Sequence, residues 1–217
     1  MISIAKMVKM KFGAYKKRMQ MLRKRIARRK LQYGLTKGNK IKQPVHFFTR
    51  TQYRPAYFVL PAGGAATGTA INFKLSDLPN AAEFTQLYDQ YQIKGVKLTL
   101  IPRYTDVNVG QTQGNIWSIL DYDDSIVPPS LDTLMQYQNL KRTRMNQIHS
   151  RYLKPAVAKE VFATGIATTY SMAKNTWLDA SNDTVEHYGV KLWFDTRLVT
   201  TTYDVQLKFY LAMKNVR

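Results

Sequence analysis

The sequence predicts an all-β fold in which two antiparallel sheets, with about eight strands in total, pack face to face. Two observations lead to this prediction. Residues 91–102 and 203–213 alternate apolar with polar side chains, which is typical of strands that have one buried face. The two segments with helical spacing between residues 79 and 135 are too short to cross over a parallel sheet.

The clearest buried strand covers residues 91–102. Its apolar positions are Tyr91 and Ile93, followed with the opposite parity by Val96, Leu98 and Leu100. The alternation changes phase at Gly95, as it does where one strand carries an extra residue. We therefore predict a β-bulge at Gly95, with a backbone geometry that a β-branched residue would resist.

Two short helices are predicted at strand entrances. In the first, Asn80 is the N-cap residue and Glu83 reaches back to it three residues later. Ser130 caps the second helix. The expected apolar sides are Phe84, Leu87 and Tyr88 in the first case, and Leu131, Leu134 and Met135 in the second.

The remaining strand signals are runs of β-branched and aromatic residues bounded by turn formers. They lie at residues 45–53 with a continuation after Pro55 at 57–60, at 70–75, at 115–122, twice within 146–162, and at 188–194. Residues 61–68 are predicted as a glycine-rich loop without the ending of a phosphate-binding loop, and residues 103–113 as a polar loop. Strand count, long loops and short helices together predict a single jelly roll.

Charge divides the chain into two parts. Of the 33 Lys and Arg residues, 15 lie in residues 1–42, where there is no Asp or Glu, and the first acidic residue is Asp77. The other 18 basic residues face all 14 acidic ones, so residues 43–217 carry a net charge of only +4. We predict a basic N-terminal arm over residues 1–42 and the jelly-roll domain over residues 43–217.

The arm has the spacing of an amphipathic basic helix. Its apolar stripe recurs every three or four residues, at Val8, Phe12, Tyr15, Met19, Leu22 and Ile26. A solvated charged tail and a helix on a membrane surface share these features. The absence of acidic residues favours nucleic-acid binding, and the dibasic pairs resemble a nuclear-import signal. Residues 34–40 are predicted as a hinge.

The basic residues predicted to bind nucleic acid all lie in the arm. They are Lys6, Lys9, Lys11, Lys16, Lys17, Arg18, Arg23, Lys24, Arg25, Arg28, Arg29, Lys30, Lys37, Lys40 and Lys42.

No catalytic constellation is recognisable. His46, His149 and His187 are far apart in sequence, and none belongs to a metal-ligand or nucleophile motif. The acidic cluster at residues 121–124 lacks the glycine and distal glutamate of a calcium loop, so we predict a strand end entering a turn. With no cysteine, disulfides and thiolate metal sites are excluded, and no stretch is long and apolar enough for a membrane-spanning helix. We predict neither an enzyme nor a bound cofactor.

From residue 45 to residue 213 the order of landmarks resembles the capsid proteins of circoviruses and related small circular single-stranded DNA viruses. The matching segments are residues 73–79 (FKLSDLP), 87–102 (LYDQYQIKGVKLTLIP), 119–124 (ILDYDD), 149–155 (HSRYLKP), Trp177, 187–191 (HYGVK) and the closing strand. The arm departs from the family pattern, because circovirus arms are dominated by arginine and lack a clear helical stripe.

The resemblance implies a structural protein that assembles into a T=1 icosahedral shell of about sixty copies around single-stranded DNA. The resemblance also implies a virion protein that binds the nuclear import machinery and enters the host nucleus. It does not indicate which host receptor the protein binds. A nucleic-acid-binding β-domain that does not assemble remains the alternative, and particle formation distinguishes the two.

Overall fold

The computed structural model describes residues 19–25, 44–103, 114–163 and 166–217. The chain divides into two units, Met1–Gln43 and Pro44–Arg217. In the first unit, residues 19–25 form a helix, α1, whose side chains are all exposed, as the helical spacing of the arm predicts for this part. None of the described helices has the length and apolar character of a membrane span.

The described part of the second unit contains eleven strands. They are β1 (His46–Leu60), β2 (Thr67–Phe73), β3 (Tyr88–Pro102), β4 (Asn115–Ile119), β5 (Lys141–Arg144), β6 (His149–Leu153), β7 (Ala156–Ala163), β8 (Ile166–Lys174), β9 (Leu178–Asp179), β10 (His187–Phe194) and β11 (Thr201–Val216). Two short helices, α2 (Ala81–Leu87) and α3 (Leu131–Met135), and a 3₁₀ turn (Leu75–Asp77) lie between them.

The strands form two antiparallel sheets. In the first sheet the order is β1-β11-β3-β6, and β9 pairs with the start of β3. In the second sheet β10 lies between β2 and β4, because Lys191–Phe194 pairs with both. Strand β5 pairs with β4, and the β7–β8 hairpin joins β10 through the single pair Tyr188 and Ala156. The chain passes repeatedly from one sheet to the other, so the predicted all-β jelly roll is confirmed.

The core lies between the two sheets, and β11, like β3, contributes six residues to it. Its alternate residues Tyr203, Val205, Leu207, Phe209, Leu211 and Met213 are at most 1% exposed. Apolar residues of β10 in the second sheet, such as Leu192 and Phe194, belong to the same cluster. The predicted alternation is confirmed in β11, where buried residues alternate with partly exposed ones from Val205 to Leu211. In β10 it is not, because Gly189 and Lys191 are buried as well, while Tyr188 is partly exposed.

The predicted bulge at Gly95 is confirmed by the pairing of β3 with β11. Tyr210 is opposite Gly95 and Leu211 is opposite Ile93, which leaves Lys94 as the extra residue. The predicted reason for a glycine at this position was a special backbone geometry. That reason was wrong, since the φ angle of Gly95 is not in the left-handed region. A Cβ atom there would instead lie 2.6 Å from the hydroxyl oxygen of Tyr152 and 3.0 Å from two of its ring carbons. Glycine makes room for an aromatic ring from β6.

Several predicted details of the helices are wrong. Asn80 precedes α2 but makes no side-chain capping hydrogen bond, whereas Ser130 accepts one from the Thr133 N–H as predicted. Leu87 and Met135 are 55% and 51% exposed, so neither belongs to an apolar side. Helix α2 buries Ala81 and Phe84, and α3 buries only Leu134, so helical spacing alone overestimated the buried surface of α3 and misplaced that of α2.

Other corrections concern the strands. The first predicted strand continues through Pro55, across a bulge where Ala56 has a φ of 49° and its N–H donates to Asp204. The predicted strands at 70–75 and 115–122 end earlier, at Phe73 and Ile119. Strands β5, β8 and β9 were not predicted. Strand β5 reads Lys-Arg-Thr-Arg, and its pairing with β4 determines its conformation, which local propensity does not reveal.

The region between β6 and the second sheet contains a buried polar group. The side chain of His149 is fully buried, with Nδ1 2.8 Å from Thr143 Oγ1 and Nε2 2.8 Å from Ser118 Oγ. Both hydroxyls can donate or accept, so a neutral imidazole is satisfied in either tautomer. Burial, together with the nearby charges of Lys141 and Arg151, lowers the pKa of His149 to about 4.

The close approach of Tyr152 to Gly95 can be tested by combining substitutions. We expect Gly95→Val to lower the free energy of unfolding of the unassembled protein by about 1–3 kcal/mol, because the added methyl groups displace the ring. In a protein that already carries Tyr152→Ala, the same substitution should lower the free energy of unfolding by clearly less. Equal costs in the two backgrounds, measured by urea unfolding, would show that the strain arises in the backbone.

The burial of His149 predicts acid sensitivity. Below its ordinary pKa of 6.5 the unfolded chain takes up a proton that the folded domain resists until about pH 4. The stability contributed by the neutral side chain is therefore complete above pH 6.5 and decreases as the pH falls to 4, by up to about 3 kcal/mol. The variant His149→Gln should show a shallower decrease in thermal midpoint over this range. An unchanged slope would contradict this assignment.

Candidate nucleic-acid interface

The structure describes three of the predicted nucleic-acid-binding residues. Arg23, Lys24 and Arg25 lie in α1 and are exposed. The following twelve lie outside the described residues: Lys6, Lys9, Lys11, Lys16, Lys17, Arg18, Arg28, Arg29, Lys30, Lys37, Lys40 and Lys42.

A second group of basic and aromatic residues lies on the outer face of the first sheet. Four neighbouring strands place Thr51, Lys208, Lys97 and Tyr152 in one row across the sheet. Their sequence neighbours Leu98, Leu207 and Phe209 are buried in the core, so these four side chains belong to the opposite face. We call the group formed by Lys97, Lys208, Tyr152 and Tyr210 the lysine-tyrosine face.

The two tyrosines are in contact with each other. Their ring centroids are 5.9 Å apart at an interplanar angle of 75°, which is an edge-to-face arrangement. The Nζ atom of Lys208 lies 5.7 Å from the centroid of the Tyr210 ring. Tyr152 is 54% exposed. An exposed aromatic ring beside lysines is the combination on which unpaired bases stack in proteins that bind single-stranded nucleic acid.

The two lysines are directly opposite each other on adjacent strands. Lys97 on β3 pairs with Lys208 on β11, and none of the salt bridges among the described residues includes either side chain. Like charges at directly opposite positions destabilise a sheet by a few tenths of a kcal/mol to about 1 kcal/mol. A polyanion bound across both strands would remove that repulsion.

Asp204, which lies on the same side of β11 as Lys208, does not neutralise the lysines. Asp204 accepts hydrogen bonds from Tyr53 Oη at 2.5 Å, from the Ala56 N–H at 2.7 Å and from Arg103 Nε at 2.7 Å. These bonds, in that order of effect, lower the pKa of Asp204 to about 2. The carboxylate is thereby committed to β1 and to the end of β3.

The acidic cluster has a cationic partner that the sequence pattern did not reveal. Asp121, Asp123 and Asp124 offer oxygens within 4.8 Å of one another. The Lys191 ammonium donates to Asp121 at 2.7 Å and to Asp124 at 2.6 Å, and Tyr137 donates to Asp121 at 3.0 Å. Burial raises the pKa of Asp121, but these hydrogen bonds and one from Asp123 lower it to about 2. The cluster anchors the segment after β4 to β10.

One pair has the geometry of a nucleophile and its base. Ser118 Oγ and His149 Nε2 are 2.8 Å apart, but both side chains are fully buried, and the other imidazole nitrogen faces the Thr143 hydroxyl instead of a carboxylate. A substrate cannot reach this serine, and no acidic group orients the histidine. We therefore assign the pair a structural role.

Comparison with known proteins agrees with the architecture. The chain is similar to the BFDV capsid protein in a 60-mer crystal structure, with 18% identity, a TM-score of 0.63, and coverage of 80% of this chain and 95% of that chain. A decameric BFDV capsid protein gives 20% identity, a TM-score of 0.56, and coverage of 79% and 100%. The tobacco necrosis virus protein gives 11% identity, a TM-score of 0.50, and coverage of 80% and 97%. At these identities the likeness shows the fold alone.

Sequence comparison identifies the family. No curated protein matches the chain. The profile of the circovirus capsid protein family matches residues 15–217, which cover the whole jelly roll and part of the arm. The resemblance noted from sequence is thereby confirmed, as is the expectation of a structural protein of the virion and not an enzyme. This chain belongs to the circovirus capsid protein family.

Proposed function

We propose that this capsid protein assembles into a T=1 icosahedral shell of about sixty copies that encloses circular single-stranded DNA. The related BFDV capsid protein forms a 60-mer and a decamer in crystals, which supports a closed shell here. Family membership favours this reading over a nucleic-acid-binding domain that does not assemble. In the proposal, the jelly roll of residues 43–217 is the wall and residues 1–42 are the arm.

Two regions bind the DNA in this proposal. The arm contributes 15 basic residues without any acidic residue, so it binds phosphates through counterion release. The lysine-tyrosine face contributes two charges at a fixed spacing and an exposed ring for stacking. Lys97 and Lys208 lie opposite each other on adjacent strands and form no salt bridge among the described residues. They are the observation that carries this assignment, because their mutual repulsion destabilises the isolated sheet.

The arm has a second proposed role. Its dibasic pairs, such as Lys16-Lys17 and Arg28-Arg29, are proposed to be recognised by the nuclear import machinery of the host cell. A capsid protein that assembles around DNA in the host nucleus requires such a signal. Binding to DNA and binding to the import machinery would use the same side chains, so the two events would exclude each other.

The lysine-tyrosine face can be tested with the double variant Lys97→Gln/Lys208→Gln. Without DNA, the variant should be at least as stable to heat as the wild type, because the repulsion is removed. With a single-stranded oligonucleotide, it should bind more weakly. The slope of log binding constant against log salt should be shallower by about 1.4, which corresponds to two phosphate contacts.

A matched control removes the same charge elsewhere. Arg144→Gln/Lys159→Gln changes two exposed basic residues on β5 and β7 of the other sheet. We expect this control to leave the salt slope close to that of the wild type. If both double variants change the slope equally, net charge and not the lysine-tyrosine face is responsible.

Deleting residues 1–42 tests whether the arm binds the DNA while the jelly roll folds without it. The remaining chain keeps all eleven described strands and a net charge of only +4, so we expect a far-ultraviolet circular dichroism spectrum of folded β-protein. Oligonucleotide affinity should decrease, and most of its salt dependence should be lost, because 15 basic residues are removed. An unfolded product, or one with undiminished salt dependence, would contradict the proposal.

A further inference from the structure

A buried arginine lies in the connection between β10 and β11. Arg197 as a whole residue is only 4% exposed. Its Nε atom donates to the Pro61 carbonyl at 3.1 Å, and one terminal nitrogen donates to the Asp195 carbonyl at 3.4 Å. The Gly63 N–H in turn donates to the Arg197 carbonyl at 2.9 Å. These contacts join the β1–β2 loop to the β10–β11 loop.

The guanidinium has no acidic partner in the part of the chain that the structure describes. None of the salt bridges among the described residues includes Arg197. The carboxylate nearest in sequence, Asp195, is committed elsewhere. It accepts from the N–H and side-chain amide of Asn115 at 3.1 and 3.0 Å, and from Trp117 Nε1 at 2.8 Å. Carbonyl dipoles alone compensate a charge that an arginine cannot lose by deprotonation.

The guanidinium of Arg197 borders a cleft. The cleft has a volume of about 490 Å³ and is lined by Gly63, Gly64, Ala65, Thr196, Arg197 and Leu198, with no acidic residue among them. The side chain of Arg197 donates through Nε and one terminal nitrogen, and the second terminal nitrogen has no hydrogen-bond acceptor in the described part of the chain. A Cβ atom on Gly64 would lie 2.7 Å from this nitrogen, so only glycine lets the guanidinium lie this close to the β1–β2 loop at the border of the cleft.

The chemistry of the cleft selects its ligand. A guanidinium presents parallel N–H donors that match the oxygens of phosphate, sulfate or carboxylate groups. The hydroxyl of the exposed Thr196 is a further donor that a tetrahedral oxyanion can use. We propose that this cleft is a binding site for a phosphate-type oxyanion, held by Arg197 at the end of the sandwich. This site is independent of the proposed packaging of DNA by the arm and the lysine-tyrosine face.

The proposal can be tested by thermal unfolding of the full-length protein in inorganic phosphate, with sodium chloride at equal ionic strength as the reference. We expect phosphate to raise the thermal midpoint of the wild type in a saturable way, by about 4 °C. Arg197→Gln should lose this rise. Arg144→Gln removes an exposed arginine that takes part in no ion pair among the described residues, and it should retain the rise.

Two further variants keep the test decisive if Arg197→Gln does not fold. Arg197→Lys retains the charge but not the paired donors, and Gly64→Ala places a methyl group against the terminal nitrogen. Both should reduce the phosphate-dependent rise. If phosphate raises the midpoint of all these variants as much as that of the wild type, the arm or a general salt effect is responsible and the proposal is wrong.

The probe identifies the source of the oxyanion. A rise with dimethyl phosphate comparable to that with inorganic phosphate would support a phosphodiester, as in a nucleic acid. A rise with inorganic phosphate alone would support the free ion. If acetate stabilises the wild type as strongly as phosphate does, the site is built for a carboxylate, such as an acidic side chain of a second copy of this chain, and the oxyanion proposal is overturned.

Discussion

The burial of one face of β11 between β1 and β3 is the constraint on which the rest of the structure depends. Six of its side chains are at most 1% exposed, and each contributes about 1.5–3 kcal/mol at full burial. The strand is paired along both edges, from Tyr203 to Met213. Sliding it by one residue would turn all six side chains to solvent, so the core fixes the register of three strands at once.

The same register decides what lies on the outside. Because side chains alternate, the strands that bury Leu207 and Phe209 must present Lys208 and Tyr210 on the other face. The repulsion between Lys97 and Lys208, of the order of 1 kcal/mol or less, is small beside the burial of even one core side chain. The fold can therefore retain two lysines that form no salt bridge among the described residues, and the missing side chain of Gly95 lets the ring of Tyr152 lie beside them.

Two buried charged side chains, one on β10 and one beside it, are stabilised in different ways. Lys191 is held by two carboxylates at 2.7 and 2.6 Å, which compensate its desolvation and fix the segment after β4. Arg197, six residues later, donates to carbonyl oxygens, and no carboxylate among the described residues pairs with it, although Asp195 lies only two residues away. The carboxylate of Asp195 instead satisfies groups at the start of β4. Lys191 thus forms an ion pair that completes the fold, whereas backbone carbonyl dipoles compensate the charge of Arg197.

The sequence by itself determined the fold class, the long strands at both ends of the jelly roll, the bulge at Gly95 and the basic character of residues 1–42. These features depend on alternation, on a single phase change and on composition, which are properties of neighbouring residues. Only the tertiary structure decided that Lys97 stands opposite Lys208, that Lys191 lies within the acidic cluster and that no carboxylate of the described chain pairs with Arg197. It also decided the formation of β5, whose residues Lys141–Arg144 carry no strand pattern. Each of these depends on a pairing between segments distant in sequence, and cross-strand partners are chosen by burial of the whole sheet and not by local propensity.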